Sequence, residues 1–205
     1  MAISRRKTLA SQVVKSPVRN SAGALNMFSR YKGKLDSEMR SSVLMQDSEI
    51  NLIHRYFLGW VEETGCPSIL SDTGAKRLRP MLCLFTCDAL SGFWEKAMPA
   101  AIALELIHCF SMIHDDIQDG DLERHHRPTV WSIWGQPKAL IAGNAMNSLA
   151  GLVALDLKTN GFSADKYLKA CSILTESCLN MIEGQCLDIA FEERVDITTA
   201  EYLDM

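Results

Sequence analysis

An all-α fold is predicted by three features of this 205-residue sequence. Apolar residues recur at helical spacing from residue 47 onward, no stretch alternates apolar and polar positions as a half-buried strand does, and Pro and Gly fall where helices start and stop. The expected architecture is a helical bundle over residues 47–205, preceded by a basic segment over residues 1–46.

Taken in order, residues 1–46 lack sustained periodicity and are rich in Ser, Arg and Lys. They read as a disordered or loosely ordered leader, or as an organellar transit segment; the body of the chain is expected to be cytoplasmic, or organellar if the leader is a targeting signal. Residues 48–63 place Ile50, Ile53, Phe57 and Trp60 on one face, with Asp47 or Ser48 as N-cap and Gly65 with Pro67 as the stop. A polar loop, 71–79, leads to a helix with Pro80 in its first turn, ending at Ser91-Gly92. Pro99 opens a run over 100–117 that is apolar nearly all round, as a helix in the middle of a bundle is. After a charged loop, 120–127, two long helical patterns cover 137–158 and 163–193. Thr198 and Glu201 form a capping box for a helix that reaches Met205 within about a turn, so the chain is expected to stop inside an element.

Charge divides the chain. All eight basic residues before Asp36 stand without a single acid, and the remainder carries 13 basic against 25 acidic residues. An acidic body is a poor nucleic-acid binder, because that affinity comes from Lys and Arg neutralising phosphates. The seven cysteines lack a C-x-x-C pair and read as small core residues in a reducing compartment. Glu105 interrupts the longest apolar run, and no transmembrane segment is expected.

Two clusters place charge where a helix does not want it. Asp115 and Asp119 are four apart on one face at the C-terminal end of the apolar helix, with Asp116 and Asp121 beside them. Such a pair, roughly 5–6 Å apart, repels by about 3 kcal/mol at an effective dielectric near 20. The helix dipole opposes anions there as well. A bound cation relieves both, and an oxygen-only donor set suits Mg²⁺ better than zinc; a solvated acidic turn is the alternative. Conversely, Lys76, Arg77 and Arg79 gather at a helix N-terminus, whose free N–H groups add to a place for phosphate; a basic surface loop is the alternative. His108 lies two turns before Asp115 on the same face, and Arg124 and His125 follow the acidic turn. His125-His126 with Asp121 and Glu123 could suggest zinc, but a polar loop accounts for them.

Together these residues resemble the polyprenyl (isoprenyl) diphosphate synthase family. Gly74-Ala75-Lys76-Arg77-Leu78-Arg79-Pro80 is similar to the family's G-G-K-R-x-R-P; His108 and Asp115-Asp116-Ile117-Gln118-Asp119 match its His and first aspartate-rich motif. Arg127-Pro128-Thr129 and Gly184-Gln185-Cys186-Leu187-Asp188 match its R/K-P-T and G-Q-x-x-D. The resemblance implies a C-terminally truncated class I isoprenoid synthase bundle, homodimeric, that condenses isopentenyl diphosphate with an allylic prenyl diphosphate. It implies Mg²⁺ on Asp115 and Asp119, with Asp116 the third catalytic carboxylate. Lys76, Arg79, His108 and His125 would face isopentenyl diphosphate, and Arg124 and Gln185 the allylic substrate. Phe110 and Ser111, below the aspartates, would set a C15–C20 product. A class I terpene cyclase and a non-catalytic synthase subunit are the alternatives.

Three departures stand out. Ala75 replaces a Gly. His125 occupies a position where the family carries Arg, and an imidazole does not reproduce a bidentate guanidinium. The chain also ends before a second aspartate-rich motif, so half a metal site and little turnover are expected.

Overall fold

The computed structural model describes residues 21–43, 48–68 and 77–205. The expected bundle is present. The helices are α1 (Ser21–Val43), α2 (Glu49–Phe57), α3 (Leu78–Ser91), α4 (Met98–Gln118), α5 (Val130–Trp134), α6 (Gln136–Leu155), α7 (Ala164–Phe191) and α8 (Thr199–Asp204). Between α4 and α5 a two-residue strand β1 (Glu123–Arg124) pairs antiparallel with β2 (Arg127–Pro128).

The loosely ordered leader expected through residue 46 is corrected over residues 21–43. Tyr31, Leu35, Met39 and Val43 recur every fourth residue on α1, and all four are buried. A four-residue step drifts by about 40° per repeat on a helix of 3.6 residues per turn, so the stripe is narrow and easily missed. Asp88 on α3 fastens it, accepting from the Tyr31 hydroxyl at 2.7 Å and pairing with Arg30 at 2.8 Å.

Ser48 caps α2 through the Asn51 N–H, but the helix stops at Phe57 rather than near residue 63. Gly59, at φ 73°, turns the chain out of the helix, and Val61 then bridges back to Pro67. Pro80 is buried in the first turn of α3, and Gly92 closes that helix at φ 72°. The capping box at Thr198 and Glu201 forms in both directions.

The core is α4 against α6. Eleven of the 21 residues of α4 are buried, and α6 meets them with small buried side chains, Ala139, Ala142, Ala150 and Ala154, and with Gly143. Small facing residues let two helix axes approach closely. By length and composition Trp94–Gln118 and Gln136–Lys158 would each suffice to cross a bilayer, which the reading of Glu105 as an interruption did not anticipate. Of the first helix's apolar window, 61% is buried inside the protein, as in a core helix.

Glu105 itself is buried and receives Arg77 Nη1 at 2.9 Å, while Arg77 Nε lies 3.4 Å from Asp36 on α1. His54 crosses from α2 to α6, its Nε2 2.8 Å from the Ala142 carbonyl, and its Nδ1 has no partner among the described residues. Burial holds its pKa below the usual histidine range.

Of the cysteines, Cys109 and Cys178 are buried, whereas Cys66 and Cys186 are exposed; all seven are free thiols. Burial pushes Cys83 up to about 11 and Cys109 to about 12, which keeps both protonated and inert near neutral pH.

Candidate active site

Asp115 and Asp116 lie in the last turn of α4 and Asp119 is its C-cap, and a small hairpin holds an arginine against the first two. In that hairpin His125 and His126 both take positive φ, 52° and 62°. Two consecutive left-handed residues are the geometry of a type I′ turn, for which histidine is among the better non-glycine choices. The hairpin is clamped to α2. Arg127 donates to the Tyr56 and Val61 carbonyls at 2.9 Å each, and its guanidinium lies 4.2 Å from the Tyr56 ring centroid. The Tyr56 hydroxyl donates to the Pro128 carbonyl at 2.8 Å. Thr129 and Trp131 both donate to the Asp121 carbonyl at 2.8 Å, which fixes the other end of the loop. Within its matched motif, Arg127 therefore acts as a fastening of the loop.

Arg124 points back from the clamped hairpin onto the carboxylates. It donates through Nε to Asp116 and through Nη2 to Asp115 at 3.5 Å, and approaches Asp121 at 3.7 Å. Gln185 on α7 donates to the other Asp115 oxygen at 3.3 Å. Both oxygens of Asp115 are thus oriented, from two different elements.

Asp116 is 1% exposed, and its second oxygen has no partner among the described residues. Burial raises its pKa, against the lowering effect of Arg124. Asp119 is exposed one turn on; slight desolvation and the charges of Asp115 and Asp121 raise its pKa. One arginine thus faces a group of carboxylates that remains net negative. Among the described residues no three His, Cys, Asp or Glu side chains form a closed metal cluster. Asp115 and Asp119 instead present two carboxylates at an open edge, with neither sulfur nor imidazole in the set. That donor chemistry fits Mg²⁺ completed by phosphate oxygens.

Two cavities flank this edge, and His108 and Met112 line both. The first, about 500 Å³, lies between α4 and the hairpin and takes in Arg77, His108, Asp116, Arg124, His125 and Arg127. The second, about 400 Å³, lies between α4 and α7, bordered by Arg79, Asp115 and Gln185 and walled by Phe110, Met112, Met181, Ile182 and Ile189. His108 has its pKa lowered by burial and then by Arg79, with Arg124 and Arg77 adding to the effect and Glu105 opposing it. Its imidazole therefore sits in a positive field.

Of the residues singled out by sequence, Asp115, Asp116, Arg124, Gln185 and His108 come together, and Phe110, Ser111 and Arg79 share the second cavity. His125 lines the first cavity at the exposed turn tip. Lys76 lies outside the described residues. Arg77 is a correction to the basic patch, since its charge is taken up by Glu105 in the interior. Sequence reasoning missed Met112 as the shared wall, Tyr56 as the hairpin's anchor, and His114. A signal for His114 existed in its four-residue spacing from Phe110.

A family model described as polyprenyl synthetase matches residues 66–205. The chain is 39% identical over 159 residues to a (2E,6E)-farnesyl diphosphate synthase of Mycobacterium tuberculosis, covering 78% of this chain and 42% of that protein. It is 40% identical over 136 residues to a geranylgeranyl diphosphate synthase of Saccharolobus solfataricus, covering 66% and 41%. The crystal structure of a polyprenyl synthetase from Streptomyces coelicolor superposes with a TM-score of 0.78 at 31% identity, covering 87% of this chain and 51% of that one. The chain thus spans about half, or less, of the length of the relatives it matches.

Proposed function

The chain belongs to the polyprenyl synthetase family, and on that premise we propose that its site serves the Mg²⁺-dependent condensation of isopentenyl diphosphate with an allylic prenyl diphosphate, giving a C15–C20 product. The observation that carries this reading is the meeting at His108 and Met112 of two cavities that each set charged groups beside apolar walls, Arg124 and His125 beside Tyr56, Phe57 and Leu58 in the first, Arg79 and Asp115 beside Phe110, Ile182 and Ile189 in the second. Two anionic heads and a hydrocarbon chain need both kinds of surface.

Asp115 and Asp119 would hold Mg²⁺, which when bound neutralises charge building on the departing diphosphate. Arg124 and Gln185 keep Asp115 turned toward the substrate edge, and Asp116 anchors Arg124 from its buried position. Arg79 and His108, with His125 at the turn tip, face the diphosphate of isopentenyl diphosphate. The allylic C–O bond breaks with its electron pair leaving on diphosphate. The double bond of isopentenyl diphosphate then attacks the allylic cation, a C–C bond forms, and loss of a proton from the adjacent carbon restores a double bond. Phe110, Ile182 and Ile189 wall the place where the cation would form and offer it no nucleophile. The proposal includes a homodimer, supported by the exposed Leu140, Ile141, Leu152 and Leu155 of α6.

The test is incubation of the protein with Mg²⁺, an allylic diphosphate and labelled isopentenyl diphosphate. Slow elongation is expected, in keeping with half a metal site, and Asp115→Asn should reduce it about 10²-fold or more. Cyclised hydrocarbon would indicate a terpene cyclase, and bound substrate without turnover a non-catalytic subunit; either result rejects the proposal.

A further inference from the structure

Phe110 and His114 occupy successive turns of α4, and their rings meet edge to face, with centroids 5.0 Å apart and planes at 78°. Both line the apolar cavity. At 100° per residue, His108, Ser111 and Asp115 fall within about 60° of one another, whereas Phe110 and His114 lie about 100–140° round from Asp115, at the flank of the cavity. His114 also meets α6. Its Nε2 is 3.2 Å from the Leu140 carbonyl, and a Cβ built on Gly143 would fall 2.3 Å from Nε2 and 2.5 Å from Cδ2. Gly143 is helical with an ordinary φ, so its lack of a side chain serves this close approach and not the backbone. The imidazole is therefore in contact with both α6 and the Phe110 ring, and α6 leaves it no room to shift toward Gly143.

We infer that His114, seated in the notch left by Gly143, is a positioning residue that braces Phe110 and thereby sets the length of prenyl chain the cavity accepts. The inference rests on the function proposed above. It makes two substitutions act in opposite directions. His114→Ala frees Phe110 to swing toward α6 and lengthens the cavity. Gly143→Ala pushes the imidazole onto Phe110 and shortens it.

The experiment measures, by calorimetry with Mg²⁺ present, the affinities of geranyl, farnesyl and geranylgeranyl diphosphate for the wild-type protein and the variants. His114→Ala should shift the ratio of longer to shorter ligand about tenfold toward the longer, and Gly143→Ala should shift it the other way. The double variant should follow His114→Ala, because the clash has lost its partner. His114→Phe, which keeps a ring but not the Leu140 contact, should keep the wild-type order. Affinities that fall equally at every length would mean a merely structural role and overturn the inference. A wild-type protein that binds none of the three overturns the proposed function and the inference with it; binding with an unmoved order overturns the inference alone. Thermal unfolding tests this contact independently of any ligand. Gly143→Ala should lower the midpoint in the wild-type background but raise it slightly in His114→Ala, where alanine only relieves the entropic cost of a helical glycine, and an equal change in both backgrounds refutes the contact.

Discussion

Arg77 and Arg124 are both arginines set against carboxylates of α4, and they do opposite things. Arg77 is 6% exposed beside an equally buried Glu105, with Asp36 in support, and its charge is consumed in joining α1, α3 and α4. Arg124 is 25% exposed and confronts Asp115, Asp116 and Asp121 at once, so negative charge is left over at the surface. A closed pair contributes to how elements are held in register. An unbalanced group leaves negative charge open to solvent and to a cation. Residue type does not distinguish the two; burial and partners do.

The comparison breaks first at Arg77. Arg77→Met leaves Glu105 charged and unpaired in the interior and should destabilise by about 3–5 kcal/mol in denaturant unfolding, whereas adding Glu105→Leu should recover most of that loss. A single substitution as mild as a surface change would mean that the pair is not closed.

His54 extends the contrast to a buried group with one partner. Burial lowers its folded pKa, so below its ordinary value of 6.5 the unfolded chain takes up a proton that the folded protein refuses. Stability should therefore fall on acidification from pH 6.5, by at most about 1.4 kcal/mol per pH unit, until the folded group titrates. His54→Phe should flatten this dependence, and an unchanged slope would place its origin elsewhere.

The smallest effect belongs to the open site. Asp119 is exposed, so solvent screens its repulsion from Asp115 far below the dielectric-20 figure, and Asp119→Asn should raise stability by only about 0.2–0.5 kcal/mol at low salt in metal-free buffer. Adding Mg²⁺ should raise the unfolding midpoint of the wild type more than that of the variant, since only a ligand of the folded state stabilises it. An equal rise in both would remove Asp119 from the proposed metal edge.

Much of the fold was legible because its signals are local. The apolar run over α4, Ser48 and Thr198 as caps, Gly92 as a stop, and Asp115 and Asp119 on one face all follow from helical periodicity and dipole electrostatics acting within a few residues. Some features were not legible. The α1 stripe was too narrow to read, and Gly59 ended α2 early because a single left-handed residue outweighs a continuing apolar pattern. The site's chemistry could be named from residue types in order, since an acidic cluster and a basic cluster separated by apolar helices are visible in one dimension.

Which charge is free was decided only by packing across the chain. Glu105 lies 28 residues from Arg77, Gln185 lies 70 from Asp115, and Tyr56 lies 71 from Arg127. Whether a carboxylate is neutralised, oriented or left to bind an ion depends on what the tertiary fold brings within about 3–4 Å of it, because electrostatic and hydrogen-bond energies fall off over that distance and sequence separation does not report it.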